Sequence, residues 1–74
     1  MNIIKLINGT SHRFYNIRIV EDLLGDWNLI REYGGMHNHK YHSLKTIHQS
    51  FHHAQIEASK LVKLRAKRGY ALHT

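Results

Sequence analysis

The sequence predicts an α+β fold, in which a small antiparallel β-sheet carries one C-terminal α-helix packed on one of its faces. Two patterns support this. Apolar and polar residues alternate through the first half of the chain, as in half-buried strands, and a 3.6-residue period replaces that alternation after Ser50. A chain of 74 residues can bury only one sizeable core, so we expect a single domain over residues 1–74.

The first half predicts a β-hairpin. Residues 12–21 alternate with period two, residues 22–26 supply the Gly and Asp that favour a turn, and residues 27–33 alternate again. Gly34 and Gly35 are then expected to break the second arm, since glycine readily takes conformations that interrupt a strand.

Two further strands are expected on either side of the hairpin. One lies within residues 37–48, and another over residues 2–8 is predicted as an edge strand.

The segment after Ser50 predicts the helix. Ser50 can cap its N-terminus, the helix runs from 51 to 67, and Gly69 closes it. The stripe that recurs at helical spacing is Ala54, Ala58, Leu61, Val62 and Arg65. The predicted core consists of Phe14 or Tyr15, Trp27, Leu29, Ile30, Phe51, Ala54, Ala58, Leu61 and Tyr70.

Composition narrows the class of protein. The absence of cysteine excludes disulfides and thiolate metal sites and favours a reducing, cytoplasmic location. Residues 1–8 are too short and too interrupted for a signal-peptide core or a membrane span, so we expect no membrane association.

The positive charge is concentrated in the second half of the chain. Residues 1–33 carry four cations and four anions, whereas residues 34–74 carry seven cations and Glu57 alone, which accounts for the formal net charge of +6. A concentrated basic surface is typical of proteins that neutralise phosphates. A solvated helix face that keeps a small protein soluble is the alternative.

The helix supplies the candidate phosphate contacts, which lie off its apolar stripe: Lys60, Lys63, Lys67 and Arg68. No base-reading motif is visible, so binding is expected to depend on backbone charge or on the structure of a strand end.

Eight histidines raise the question of a metal. His37 and His39 would point to the same side of a strand and are the weak candidates for ligands, but His42 has the opposite parity and no carboxylate completes the set. We therefore expect no metal and no cofactor. No nucleophile, base and acid are grouped in a way that predicts catalysis, so we expect that the protein is not an enzyme.

An ordered series of landmarks resembles the WGR domain, a module found in poly(ADP-ribose) polymerases and in short free-standing bacterial proteins. The resemblance covers roughly residues 10–72. Its landmarks are Phe14-Tyr15, Trp27, Tyr33-Gly34-Gly35, Ser50-Phe51-His52-His53-Ala54 and Lys67-Arg68-Gly69-Tyr70. The resemblance implies the same α+β fold.

The signature itself is altered. Where the family has Trp-Gly-Arg-Ile-Gly, this chain has Tyr33-Gly34-Gly35-Met36-His37, so Gly35 replaces the family's arginine. In the polymerases the Trp and Arg are implicated in contacts with a DNA end. The resemblance therefore implies nucleic-acid binding, with DNA favoured over RNA, at Tyr33, Gly34 and Lys40. The alternative is a protein-interaction or self-associating module, including a homodimer, that binds no nucleic acid.

Overall fold

The computed structural model describes residues 2–37 and 41–73. These residues form a five-stranded antiparallel sheet and one helix, which confirms the predicted α+β class. In chain order the elements are β1 (Asn2–Asn8), β2 (Arg13–Glu21), β3 (Trp27–Gly35), β4 (Tyr41–His48), α1 (Phe51–Lys67) and β5 (Ala71–Leu72). The strand order across the sheet is β4-β3-β2-β1-β5.

α1 packs across one face of the sheet, where the hydrophobic core forms. Because side chains alternate along a strand, one apolar set from β1, β2 and β3 faces the helix. Ala54 and Ala58 let α1 approach the sheet closely. The buried core is Leu6, Tyr15, Ile17, Ile19, Leu29, Ala54, Ala58 and Leu61, and the predicted Trp27, Phe51 and Tyr70 pack against it half-buried.

Two core candidates lie on the other face, which we call the open face because no described element covers it. Ile30 pairs with Arg18 in the register between β2 and β3, one residue away from the buried Leu29. Its prediction as a core residue is wrong because strand parity turns it away from α1. Of the alternatives Phe14 and Tyr15, Tyr15 is the core residue.

β3 continues through both glycines that were expected to break it. Gly34 pairs with Phe14 and Tyr41, and Gly35 pairs with Arg13. The expected break is wrong because cross-strand pairing on this side of the sheet holds the glycines extended. β1 is also not an edge strand along its whole length, since β5 pairs with its C-terminal half.

The turn between β2 and β3 is held by hydrogen bonds of Asp22. Its Oδ1 accepts from the backbone N–H of Leu24 at 2.9 Å and of Asp26 at 3.0 Å, and its own N–H donates to the Asp26 carbonyl at 2.9 Å. Gly25 takes a φ of 85°, which an L side chain rarely adopts. We call residues 22–26 the leucine tip.

Both ends of α1 have the predicted caps. The backbone N–H of His53 donates to Ser50 Oγ at 3.1 Å. At the other end Gly69 has a φ of 91° and donates its N–H to the Ala66 carbonyl. Within the described part of the chain, α1 falls short of the length and apolarity that crossing a bilayer requires, and no other helix is present there.

We expect Ser50→Ala to lower the free energy of unfolding by about 1 kcal/mol, because the substitution leaves a first-turn N–H of α1 without its side-chain acceptor. Ser59→Ala, on the exposed surface of the same helix, is the matched control and should change it by less than about 0.5 kcal/mol. Urea denaturation followed by circular dichroism measures both. Equal losses would contradict the capping role.

Candidate nucleic-acid interface

The chain topology gathers one group of residues at the end of the sheet where β1 and β3 end and β2 and β4 begin. The antiparallel register brings Asn8, Arg13, Gly35 and Tyr41 together there, and α1 runs toward the same end. We call this the basic end. The leucine tip and the start of α1 lie at the opposite end, where Trp27 packs against Phe51.

A cleft of 330 Å³ opens at the basic end. The ends of β2, β3 and β4 form one wall, and Arg65 in the last turn of α1 forms the other together with Tyr70, which lies between α1 and β5. Its lining residues are Arg13, Tyr33, Gly34, Gly35, His42, Arg65 and Tyr70. Gly35 pairs with Arg13 on the cleft side of the sheet, and its lack of a side chain lets a ligand approach the backbone of β3 there.

Aromatic rings form the floor of the cleft. The Tyr33 ring lies between the Tyr15 ring, with centroids 5.4 Å apart and an interplanar angle of 18°, and the His42 ring, with centroids 5.4 Å apart. Tyr70 meets Tyr15 edge-on at 6.2 Å. Rings therefore flank Tyr33 on both sides, and Tyr33 itself lines the cleft.

Arg65 lies against this aromatic floor. Its guanidinium carbon is 4.1 Å from the centroid of Tyr15 and 5.9 Å from that of Tyr70, which is cation–π geometry. Its Nε is buried, and no described residue accepts a hydrogen bond from it. Arg31 on β3 also has a buried Nε without a described acceptor, so what distinguishes Arg65 is its place in the lining of the cleft.

Charge is divided between the two ends of the molecule. Cations lie at the basic end, whereas Glu21, Asp22 and Asp26 surround the leucine tip. The cations of the basic end are Arg13, Arg65, Lys67 and Arg68. The longest dimension is 39 Å, so the two groups of opposite charge are well separated.

The remaining carboxylates do not neutralise the basic end. Arg18 Nε lies 3.2 Å from Glu32 Oε1 on the open face, and this is the one ion pair within residues 2–37 and 41–73. Glu57 lies on α1, outside the lining of the cleft.

The residues predicted from the sequence fall into three groups. Tyr33 and Gly34 line the cleft, and Lys67 and Arg68 lie at the same end, on the last turn and the C-cap of α1. Lys60 and Lys63 lie nearer the middle of α1, where they line a different groove. Lys40 lies outside the described residues.

Sequence reasoning missed four lining residues: Arg13, His42, Arg65 and Tyr70, the last of which was expected in the core. The position of Arg65 could have been predicted, because a residue on the apolar stripe of α1 faces the sheet even when it is a cation. The pairing of Arg13 with Gly35 could not be predicted, because the second arm of the hairpin was expected to end before Gly34.

The weak metal candidates stay apart from the cleft. His37 packs near His12 with ring centroids 5.1 Å apart, and His39 lies outside the described residues. In the parts of the chain that the structure describes, no three His, Asp or Glu side chains are close enough to hold a metal ion.

Comparison with known proteins adds a family. A model of the WGR domain matches residues 2–74, which extends the resemblance found at residues 10–72 to essentially the whole chain. No curated protein and no solved structure matches significantly. WGR domains in general bind nucleic acids and are binding domains, not catalytic in themselves. The match covers essentially the whole chain, and Tyr33, Gly34 and Gly35 of the altered signature line the cleft. This chain therefore belongs to the WGR domain family.

Proposed function

We propose that this protein is a non-catalytic module that binds nucleic acid, DNA in preference to RNA, through its basic end. The observation that carries the proposal is the cleft at that end, which Arg13 and Arg65 both line. The family supports binding without chemistry. The absence of cysteine favours work in the reducing cytoplasm.

Phosphate is the ligand group that fits the cations. Arg13 and Arg65 come from opposite walls of the cleft, so one phosphate between them would meet a guanidinium on each side. Lys67 and Arg68 extend the positive surface along the end of α1, where the next phosphates of a strand would lie. Lys60 and Lys63 are farther away and would contribute general attraction.

The size of the cleft favours a strand end. At 330 Å³ it lies at the lower limit of the range of about 300–1,000 Å³ that small-ligand sites occupy, so it suits one terminal phosphate and its sugar and not a continuous duplex. Gly35 would allow the sugar to approach the backbone of β3, and Tyr33, which lines the cleft, would offer its hydroxyl for hydrogen bonding. Lys40 stays a proposed contact that rests on the family resemblance alone.

Two other arginines would compensate for the loss of the arginine in the WGR signature. Gly35 stands where the WGR signature has Arg, and it pairs directly with Arg13 across β2 and β3. Arg13 therefore brings a guanidinium to the place from which the motif residue is missing. Arg65 supplies a second one from α1.

Fluorescence anisotropy tests the proposal. The ligands are a blunt 5′-phosphorylated duplex, a nicked duplex, a single strand, an RNA duplex of the same sequence, and a dumbbell duplex closed by hairpin loops at both ends. Each is titrated at several salt concentrations from about 50 to about 200 mM.

We expect micromolar or tighter binding to the blunt duplex at low salt, with log K falling linearly with log salt. The dumbbell should bind several-fold more weakly, since it offers no strand end, and the RNA duplex should bind more weakly than the DNA duplex. No binding to any ligand at low salt, where phosphate attraction is strongest, would overturn the proposal.

A further inference from the structure

The leucine tip exposes two large apolar side chains. Leu23 is 105% and Leu24 is 88% exposed, and the hydrogen bonds of Asp22 hold the turn that presents them. A preorganised turn loses little conformational freedom when it binds. Glu21, Asp22 and Asp26 surround the two leucines, so the tip combines an apolar centre with an acidic rim.

A second surface has the opposite character. A groove of 990 Å³ runs between α1 and β1. Its floor is apolar and includes Ile4, Ile19 and Val62, and Lys60 and Lys63 lie along its helical wall. We call it the helix–β1 groove.

The groove is open because β5 is short. β5 pairs with β1 only at Leu6 and Ile7, and the N–H of His73 donates to the Lys5 carbonyl beyond them. No β5 residue pairs with Ile4, the helix-facing residue at that end of β1, which is half-buried. The apolar floor at that end of β1 is therefore accessible from outside.

We propose that two copies of this protein associate, with the leucine tip of one copy seated in the helix–β1 groove of the other. The leucines would cover the isoleucines of the floor, and the acidic rim would meet Lys60 and Lys63. Apolar centres ringed by complementary charge are typical of specific interfaces. Reciprocal exchange of tips closes the assembly as a dimer.

The charges of the tip and the groove favour a second copy of this protein over nucleic acid or a membrane as the binding partner. The carboxylates at the tip would be repelled by nucleic acid and by the anionic surface of a membrane. The groove of a second copy offers apolar surface and cations together. The inference goes beyond nucleic-acid binding, because the contact leaves the cleft at the basic end free on both copies.

Sedimentation velocity from about 5 to about 500 µM, without nucleic acid, tests the contact. We expect the mean sedimentation coefficient of the wild type to rise with concentration. Leu23→Ser with Leu24→Ser should raise the dimer dissociation constant at least about tenfold while leaving the thermal midpoint unchanged, because both side chains are exposed. Leu44→Ser is the control, since Leu44 is exposed on β4, pairs with Arg31 in the middle of the sheet and is separated from β1 by β3 and β2.

A charge exchange between two variants identifies the partners. Lys60→Glu with Lys63→Glu places acidic groups on both surfaces, and Glu21→Lys with Asp26→Lys places basic groups on both, so each variant alone should stay monomeric. In an equimolar mixture every tip faces a groove of opposite charge, and association should return. A wild type that is monomeric at every concentration, or a mixture that fails to associate, would overturn the proposal.

Discussion

Reversing the charge of Lys67 and Arg68 together will lower the affinity for a blunt DNA duplex about 10- to 100-fold at low salt, because both cations lie at the basic end beside the cleft. The slope of log K against log salt should fall by about 2, since each lost phosphate contact removes about one unit. Both side chains are exposed, so Lys67→Glu with Arg68→Glu should leave the fold intact. Anisotropy titrations across a salt series measure both quantities.

The matched control is a variant with the same change of net charge at two positions away from the basic end. Lys5→Glu with Lys45→Glu places two carboxylates on the open face, where strand parity turns both side chains away from α1 and the cleft. This variant should lose less than about threefold in affinity, because only long-range attraction changes. If the two variants lost affinity equally, net charge and not the basic end would drive the binding.

Leu29→Ala should destabilise the protein by about 2–5 kcal/mol, since it removes a wholly buried side chain between the sheet and α1. Leu29 is 0% exposed and belongs to the core that holds the helix on the sheet. A chain of 74 residues has a total stability of roughly 4–11 kcal/mol, so the variant is expected to be partly or wholly unfolded at 37 °C.

Urea denaturation followed by circular dichroism measures the loss. Leu64→Ala is the control, because it makes the same chemical change at a position of α1 that is 43% exposed. It should cost less than about 1 kcal/mol. A Leu29→Ala variant as stable as the control would mean that α1 is not held by the core on β3.

Most elements of the fold could be predicted because each depends on a local pattern. The helix and its caps followed from Ser50, the 3.6-residue stripe and Gly69, and the hairpin followed from alternation around the Asp and Gly of the leucine tip. The parity of Ile30 and the course of β3 through Gly34 and Gly35 could not be predicted in the same way. The first depends on which face of the sheet α1 covers, and the second depends on pairing with neighbouring strands. Both are tertiary contacts, which a local sequence pattern does not specify.

The candidate site was less accessible from the sequence. Tyr33 and Gly34 could be proposed because they fall on the WGR pattern, and Lys67 and Arg68 because cations cluster late in the chain. Arg65 was grouped with the apolar stripe, and only the packing of α1 shows its guanidinium against Tyr15. Lys60 and Lys63 were grouped with the other cations, although the rotation of the helix places them along the helix–β1 groove.

The separation of charge between the two ends of β2 and β3 gives the molecule an electric dipole moment. In the field of a polyanion such a dipole experiences a torque, which turns Arg13 and Arg65 toward the phosphates and the carboxylates of the leucine tip away from them. Encounters would then begin in the productive orientation, before any short-range contact forms. Salt would slow association both by weakening the attraction and by randomising the angle of approach.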